Sequence, residues 1–264
     1  MDLEIKGRRA LVTGSTSGIG FAIAKGLAAE GAHVTLTGRK QVSVDEAIAV
    51  IRKGVTDASV DGIAADCATV QGAAAVFAHT PQVDILVNNL GIYERKAAFE
   101  ITDAAWLRLF EVNVMSGIRF SRHYAPLMAK AGWGRVLFVS SESALNIPRE
   151  MIHYGMTKTA QLSIARGLAM ELEGTGVTVN SLLPGPTRTA NTERMRAERA
   201  KAAGKAVPEL EDEFFKVLRP SSLLKRFTSA DEVAHMAVFL CSPLSSATNG
   251  AAVRVEGGIV NQIM

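Results

Sequence analysis

The sequence lacks the features that mark several large classes of protein. It has only two cysteines, Cys67 and Cys241, which stand far apart and have no metal-ligand spacing around them. A disulfide framework is therefore excluded, and we expect two buried free thiols. None of the five histidines stands in a metal-binding spacing, so we expect no metal site. No run of about 18 uncharged apolar residues occurs, which argues against a transmembrane helix.

The charge and the N-terminal stretch exclude further classes. The 29 lysines and arginines exceed the 26 acidic residues by only three, an excess too small to indicate a nucleic-acid partner. Residues 1–9 alternate charged with single apolar residues, whereas a secretory signal needs an apolar stretch of about 7 to 15 residues. We therefore expect a cytoplasmic protein that binds neither nucleic acid nor a membrane.

Short runs rich in leucine and β-branched residues alternate with stretches that carry apolar residues at helical spacing. This alternation predicts a parallel sheet covered on both faces, because each crossover helix buries its apolar stripe against the sheet. We predict an α/β fold with a doubly wound parallel sheet of about seven strands, in a single domain over residues 1–264. The candidate strands are Arg9–Thr13, His33–Thr37, Ile63–Ala65, Ile85–Asn88, Arg135–Val139, Val177–Leu182 and Val253–Val255.

Residues 191–224 interrupt this alternation. Basic residues from Arg194 to Lys205 are followed by acidic ones from Glu209 to Glu213, and then by Phe214 and Phe215. A solvated pair of helices would explain the charges. A stretch this long before the last helix and strand is more typical of a functional segment, and we predict a substrate lid over residues 191–224.

Three glycines follow the first predicted strand and precede a helical pattern, at Gly14, Gly18 and Gly20. A sharp strand-to-helix turn needs backbone freedom, and a pyrophosphate binds bare amides at a helix N-terminus. The P-loop pattern is absent, and Thr16 stands where a nucleophile elbow needs serine. The turn predicts a dinucleotide site.

The second predicted strand ends at Gly38 and Arg39, without the acidic residue that usually binds the ribose 2′-hydroxyl of NAD. Arg39 would instead pair with a 2′-phosphate. We expect NADP(H) to be preferred over NAD(H); the alternative is that Arg39 is an exposed loop arginine.

Only one of the three tyrosines has a lysine four residues on, which is Tyr154 with Lys158. That spacing places both side chains on one face of a helix. Ser141 lies 13 residues before Tyr154, just beyond a predicted strand. A phenol made more acidic by a nearby ammonium is a usable acid or base, and a serine can donate to the substrate oxygen. The trio is suited to reduction of a carbonyl or oxidation of an alcohol.

These residues resemble the short-chain dehydrogenase/reductase family over nearly the whole chain. The resemblance is carried by Thr13–Gly20, by Asn88-Asn89-Leu90-Gly91, by the Ser141, Tyr154 and Lys158 trio, and by Pro184–Thr189. It implies a Rossmann fold and hydride transfer between NADP(H) and a small-molecule carbonyl or secondary alcohol. Leu90 departs from the alanine usual in the family.

The resemblance also implies roles for other residues. Asn113 would complete a catalytic tetrad by holding a water that relays protons through the lysine. Asp66 and Cys67 would lie against the adenine, and Thr187 and Thr189 would contact the cofactor. The implied cofactor-binding residues are Gly14, Ser15, Thr16, Ser17, Gly18, Ile19, Gly20, Arg39, Asp66, Cys67, Asn89, Gly91, Tyr154, Lys158, Pro184, Gly185, Thr187 and Thr189.

The resemblance further implies a homotetramer or a homodimer. Small residues at Gly117, Ser121 and Ala125 would permit close approach of another helix, although packing within one subunit explains them equally well. The implied substrate pocket is largely apolar, but it does not identify the substrate. Its implied lining is Leu90, Ile92, Glu142, Ser143, Leu145, Met151, Gly185, Met195 and Phe214 or Phe215.

Two alternatives to an NADP(H)-dependent carbonyl reductase remain open. One is an NAD-preferring alcohol dehydrogenase, which would differ near Arg39. The other is a cofactor-binding sensor without turnover, which would have no need of the Ser141, Tyr154 and Lys158 trio.

Overall fold

A computed structural model of the chain describes residues 2–263 and has one main sheet with helices on both faces. Seven strands form this sheet and two short ones pair separately. The strands are β1 (Arg9–Val12), β2 (His33–Gly38), β3 (Val60–Ala64), β4 (Ile85–Asn88), β5 (Gly134–Val139), β6 (Val177–Pro184), β7 (Thr187–Arg188), β8 (Thr228–Ser229) and β9 (Ala252–Val255).

Helices connect the strands, and two π-helical segments adjoin them. The segment Glu111–Met115 joins the fourth helix to the fifth, and Phe214–Leu218 follows the eighth. The α-helices are α1 (Gly18–Ala29), α2 (Gln41–Gly54), α3 (Val70–His79), α4 (Asp103–Phe110), α5 (Ser116–Ala131), α6 (Ile152–Glu171), α7 (Ala190–Ala203), α8 (Val207–Glu213) and α9 (Ala230–Leu240).

The strand order of the main sheet is β3-β2-β1-β4-β5-β6-β9, and all neighbouring pairs are parallel. The order reverses between β1 and β4, where Leu11 lies opposite Leu86. In open α/β sheets such a reversal leaves a crevice at the carboxyl ends of the strands, where ligands bind. The predicted doubly wound, seven-stranded fold in a single domain is confirmed.

A hydrophobic core lies on each face of the sheet. Along β5, Val136 and Phe138 point into the core shared with α3, α5 and α6, whereas Leu137 and Val139 point into the core shared with α1 and α9. Successive residues of a strand face opposite sides, so a strand covered on both sides is apolar throughout. This explains why the strands read as continuous apolar runs.

The small residues of α5 pack within the subunit. A Cβ on Gly117 would lie 2.7 Å from Cε1 of Phe138 in β5, and Ser121 Oγ accepts a 3.0 Å hydrogen bond from Asn88 Nδ2. Ala125 is buried in the core of the same face. These three small residues therefore pack α5 against the sheet within the subunit. An intersubunit contact of this helix remains a prediction.

The lid predicted over residues 191–224 contains two helices, α7 and α8, and the π segment after them. The chain leaves the main fold after β7 and returns at β8, and these two strands pair with Thr187 opposite Thr228. The two threonine hydroxyls are 3.1 Å apart in a hydrogen bond. The pairing of β7 with β8 therefore holds the two ends of the segment together, while its role as a lid remains a prediction.

The two thiols are buried and free, as expected. Burial raises the pKa of Cys67 to about 11 and that of Cys241 to about 12. Among residues 2–263 no three His, Cys, Asp or Glu side chains are grouped so as to hold a metal ion. Within the same range, no helix combines the length and apolar character needed to cross a membrane.

Candidate active site

The three residues of the predicted catalytic trio converge where β5 meets α6. Ser141 comes two residues after the end of β5, and Tyr154 and Lys158 lie one turn apart near the start of α6. Ser140 Oγ donates a 2.9 Å hydrogen bond to the main-chain oxygen of Lys158, which fixes the helix against the strand end. The four-residue spacing therefore brings both side chains to one site.

Lys158 is buried among neutral acceptors. Its Nζ donates to the main-chain oxygen of Val139 at 2.9 Å and to Oε1 of Gln161 at 3.2 Å. Only 3% of the residue is exposed. Burial lowers the pKa of Lys158 from 10.5 to about 7, because the charged form loses its hydration.

Tyr154 lies beside this lysine, with Lys158 Nζ 5.6 Å from the centre of its ring. Burial raises the pKa of the phenol well above its ordinary value; the Ser141 hydroxyl opposes the rise, and Glu142 and Tyr93 add to it. In the absence of a bound cofactor the phenol therefore stays protonated at neutral pH and is poised as an acid.

Asn113 lies in the π segment between α4 and α5, and its side chain is held on three sides. Its Oδ1 accepts from the Ile92 N–H at 2.8 Å, and its Nδ2 donates to the Ile92 oxygen at 2.9 Å and to Thr157 Oγ1 at 3.0 Å. Asn113 thus joins the loop after β4 to α6, next to the trio. The water relay implied for it remains a prediction.

The glycine turn opens directly onto the N-terminus of α1. Gly14 and Gly18 both have φ of 62°, a left-handed conformation that favours glycine. Ser17, the N-cap residue, makes no side-chain bond to the first turn, and the first intrahelical bond runs from Phe21 N–H to the Ser17 oxygen. The N–H groups of the first turn of α1, which precede Phe21, are the donors that a pyrophosphate would use.

The loop after β4 braces this turn. Asn89 Nδ2 donates to the main-chain oxygens of Thr13 and Gly14, each at 3.0 Å, and Thr13 Oγ1 accepts from the Asn89 N–H at 3.0 Å. A Cβ on Gly20 would collide with that Asn89 amide group. Leu90, the departure from the family pattern, packs its Cδ1 3.1 Å from where a Cβ on Gly14 would lie.

The end of β2 offers cations but no carboxylate. Arg39 and Lys40 are exposed there, and a Cβ on Gly38 would lie 2.5 Å from Cγ2 of Thr16. An acidic side chain at position 38 would therefore require Thr16 to move. Asp66, in the loop after β3, is exposed.

Two of the residues assigned to the cofactor serve the turn itself. Cys67 Sγ donates to Thr37 Oγ1 at 3.3 Å, and the same oxygen accepts from the Gly14 N–H at 3.0 Å. Ser15 Oγ donates to the Val12 oxygen at 2.7 Å and accepts from the Thr37 N–H at 3.0 Å. The side chains of Cys67 and Ser15 are therefore used in bonds that stabilise the glycine turn, so any contact of these residues with a cofactor would be made by their backbone.

A cavity of about 300 Å³ connects the glycine turn with Ser141 and Tyr154, whereas Lys158 does not line it. Residues predicted to bind the cofactor share its wall with two predicted catalytic residues, and their roles remain predictions. The predicted residues on its wall are Ser17, Ile19, Gly20, Asn89, Gly91, Ser141, Tyr154, Pro184, Gly185, Thr187 and Thr189.

A second cavity, of about 530 Å³, extends under the predicted lid. Tyr93 and Thr192 line both cavities and so mark their junction. Met195 and Phe214 line the larger one, as the resemblance implies, and Tyr93 Oη donates to Met195 Sδ at 3.1 Å. The other predicted pocket residues line neither, apart from Gly185 in the smaller cavity; they are Leu90, Ile92, Glu142, Ser143, Leu145, Met151 and Phe215.

A buried ion pair joins the catalytic loop to the far end of the predicted lid. Arg219 Nε donates to Glu142 Oε1 at 3.0 Å, and Ser143 Oγ donates to Glu142 Oε2 at 2.6 Å. Side-chain exposure is 14% for Arg219 and 4% for Glu142. The residue next to Ser141 is therefore joined directly to the segment predicted to act as a lid.

Sequence reasoning missed several residues of this site, and each lacks a motif that would reveal it. Tyr93, Asn191 and Thr192 line the cavities through tertiary folding alone. Gln161 would have been noticed only as a polar residue three positions after Lys158, on the same face of a helix.

Comparison with known proteins agrees with this geometry. A family model described as enoyl-(acyl carrier protein) reductase matches residues 14–260. The uncharacterized oxidoreductase YvaG of Bacillus subtilis is 46% identical over 100% of both chains. Dehydrogenase/reductase SDR family member 4 of Homo sapiens is 32% identical over 96% of this chain and 88% of that protein.

Among solved structures, L-sorbose reductase from Gluconobacter frateurii, complexed with NADPH and L-sorbose, superposes with a TM-score of 0.92 at 32% identity. The match covers 100% of each chain. Sequence motifs, strand order and these similarities agree, and the chain belongs to the short-chain dehydrogenase/reductase family of oxidoreductases.

Proposed function

We propose that the protein is an NADP(H)-dependent reductase that transfers a hydride between the cofactor and a carbonyl or secondary alcohol. The observation that carries this proposal is that Ser141 and Tyr154 line the same cavity as the glycine turn, with Lys158 Nζ 5.6 Å from the Tyr154 ring centre. A protein that only bound the cofactor would have no need of an acid beside its reactive end.

The residues present fit a nicotinamide dinucleotide. The uncapped N-terminus of α1 and the positive-φ glycines suit the pyrophosphate. Gly91, which lines the cavity, lies close to Lys158, since a Cβ there would be 3.4 Å from Nζ. When bound, the cofactor supplies or accepts the hydride.

In the reductive direction Tyr154 donates its proton to the oxygen of the substrate carbonyl. The raised pKa of the phenol keeps that proton available at neutral pH, and the Ser141 hydroxyl stabilises the charge that develops on the oxygen. Lys158 Nζ lies 5.6 Å from the centre of the Tyr154 ring, and it would hold the ribose of a bound cofactor. For the oxidative direction, the positive charges of Lys158 and the oxidised nicotinamide favour the phenolate.

The preference for NADP(H) is supported by the cations at the end of β2. Arg39 and Lys40 are exposed where a 2′-phosphate would lie, and Thr16 occupies the space that an acidic residue at position 38 would need. The structure of the sorbose reductase that resembles this chain contains NADPH. An NAD-preferring alcohol dehydrogenase is the alternative.

The substrate would enter beneath the predicted lid. The larger cavity combines apolar groups with arginines, and it meets the smaller cavity at Tyr93 and Thr192, beside Tyr154. L-Sorbose in the related structure supports testing polyhydroxylated carbonyl compounds as well as apolar ketones. A homotetramer or homodimer and a cytoplasmic location remain predictions, and sedimentation at micromolar concentration tests the first.

The proposal is tested by following NADPH and NADH absorbance with a panel of ketoses, ketones, quinones and 3-oxoacyl thioesters. We expect turnover with at least one class, faster with NADPH. Tyr154→Phe should abolish turnover but leave NADPH binding intact. Tyr124→Phe is the matched control, because that phenol donates to the Thr80 oxygen away from the site. Retained activity in Tyr154→Phe would contradict the assigned acid.

A further inference from the structure

Gln161 lies on α6 one turn beyond Lys158 and is almost fully buried, with 1% of its surface exposed. Its Oε1 accepts the 3.2 Å hydrogen bond from Lys158 Nζ, and its Nε2 donates a 2.6 Å hydrogen bond to the main-chain oxygen of Asn113. A single side chain therefore connects the lysine of the trio with the π segment.

The chemistry of the two partners fixes the orientation of the amide. An ammonium can only donate, and a main-chain carbonyl can only accept. The amide of Gln161 satisfies both in one orientation only, with its oxygen toward Lys158 and its nitrogen toward Asn113. Apolar side chains of similar length, such as methionine, would fill the same volume and satisfy neither partner.

The same contacts determine where the lysine points. An ammonium has three N–H donors. Val139 and Gln161 take two of them, so one N–H donor of Nζ is left without a partner. A Cβ on Gly91, which lines the smaller cavity, would lie 3.4 Å from Nζ. Tyr154 is also close, with its ring centre 5.6 Å from Nζ.

We propose that Gln161 is a positioning residue for the reaction: its amide anchors Lys158 to the Asn113 carbonyl and so aims the remaining N–H of the ammonium at Tyr154 and the cofactor. The inference rests on the proposed function. It assigns to a neutral amide, built into the helix that carries Tyr154 and Lys158, the task of holding the lysine in place and stabilising its charged form.

The surroundings of Lys158 make this contribution measurable. The elements packed against Nζ are β5 through Val139, the loop after β4 through Gly91, and α6 through Tyr154 and Gln161. Tyr154 is the only titratable group among these contacts, and within residues 2–263 no carboxylate lies within 4 Å of Nζ. Beyond Tyr154, Glu142 and Tyr93 influence the phenol.

The experiment measures the protonation of Lys158 directly in the full chain, with 13Cε-labelled lysine and NMR. The resonance is assigned by its absence in Lys158→Met, and the wild-type midpoint is expected near pH 7. Gln161→Met removes the neutral acceptor and should lower the midpoint by about one pH unit, because a hydrogen bond to a charged group favours that form.

Gln161→Glu provides a change of opposite sign. A carboxylate at this place would favour the ammonium, so the midpoint should rise above that of the wild type. Gln82→Met is the matched control, because Gln82 bonds to Arg9 at the other end of the sheet. An unchanged midpoint in both Gln161 variants, or a shift in the same direction, would overturn the inference. If Gln161→Met does not fold, the Gln161→Glu variant alone decides.

Kinetics then separate this inference from the proposed function. With a substrate from the panel, Gln161→Met should lower kcat about tenfold and shift the acidic limb of the alcohol-oxidation profile upward, since a less charged lysine supports the phenolate less well. No turnover by the wild type with any substrate would refute the proposed function. A wild type that turns over, with an unchanged NMR midpoint and pH profile in Gln161→Met, would refute the role of Gln161 alone.

Discussion

Replacing Arg219 with glutamine tests how strongly the end of the predicted lid is tied to the catalytic loop. The guanidinium Nε is 3.0 Å from Glu142 Oε1, and both side chains are mostly shielded from water, at 14% and 4% exposure. The substitution leaves the Glu142 carboxylate buried with only the Ser143 hydroxyl as a short-range donor. Water hydrates a carboxylate poorly when its side chain is this deeply buried.

Breaking a buried ion pair by removing one partner costs about 3 to 5 kcal/mol, because the remaining charge loses its compensation. For a chain of this size, 1 kcal/mol shifts Tm by about 2 to 4 °C. We therefore expect Arg219→Gln to lower Tm by about 6 to 20 °C at pH 7. The double variant Glu142→Gln/Arg219→Gln should recover most of this loss, because no buried charge is left.

The assay is thermal unfolding followed by circular dichroism, repeated with urea so that free energies of unfolding can be compared in a double-mutant cycle. Arg226→Gln is the control, because its pair with Glu232 has side chains 48% and 40% exposed and should contribute little. A loss in Arg219→Gln no larger than in the control, or additive effects in the double variant, would show that the pair does not tie lid to loop.

Three further predictions concern the cofactor and the lysine. Arg39→Gln should weaken NADPH binding about tenfold and leave NADH binding unchanged, whereas Lys40→Gln should have the smaller effect; fluorescence titration of both cofactors would contradict this if the two affinities fell together. Burial lowers the pKa of Lys158 to about 7 in the folded protein, whereas it is 10.5 in the unfolded chain. Between these two pH values the unfolded state binds more protons than the folded state, so the free energy of unfolding increases as pH rises. The urea midpoint of the wild type should therefore rise with pH over this range more steeply than that of Lys158→Met. Parallel pH profiles for the two proteins would refute this prediction. Gly20→Ala should lower cofactor affinity at least tenfold, because the added methyl group would collide with Asn89 Nδ2 and the glycine turn would have to open. Titration calorimetry measures this, and binding equal to that of the wild type would contradict the role of the glycine turn in cofactor binding.

The sheet was predictable because its interior strands are apolar on both faces. The strand β4 has the predicted bounds, Ile85–Asn88, whereas β3 begins at Val60 rather than at the predicted Ile63. The reason is its position at the edge of the sheet, where only Val60 is fully buried and Asp61 and Gly62 are tolerated. A search for apolar runs misses the polar and small residues of an edge strand, because such a strand does not need to bury all of its residues.

The site was predictable wherever chemistry and backbone geometry restrict the residue type. Glycines at the turn and a lysine one turn after a tyrosine are such cases. By contrast, the pairing of Thr187 with Thr228 and the ion pair of Glu142 with Arg219 join positions 41 and 77 residues apart. No local pattern records such contacts, because any of several polar residues could make them.

The π turn at Glu111–Met115 also makes the protein sensitive to the deletion of one residue from this helix. A π turn accommodates one residue more than the α-helix it interrupts, and each α-helical residue rotates the chain by about 100°. Deleting Val112 would restore ordinary winding only by rotating one half of the helix against the other. Rotation of the second half would pull Phe120 and Tyr124 out of their core, whereas rotation of the first would leave that core whole and carry Asn113 away from Ile92 and Thr157. A one-residue deletion here therefore forces a choice between a well-packed molecule and an assembled reaction centre.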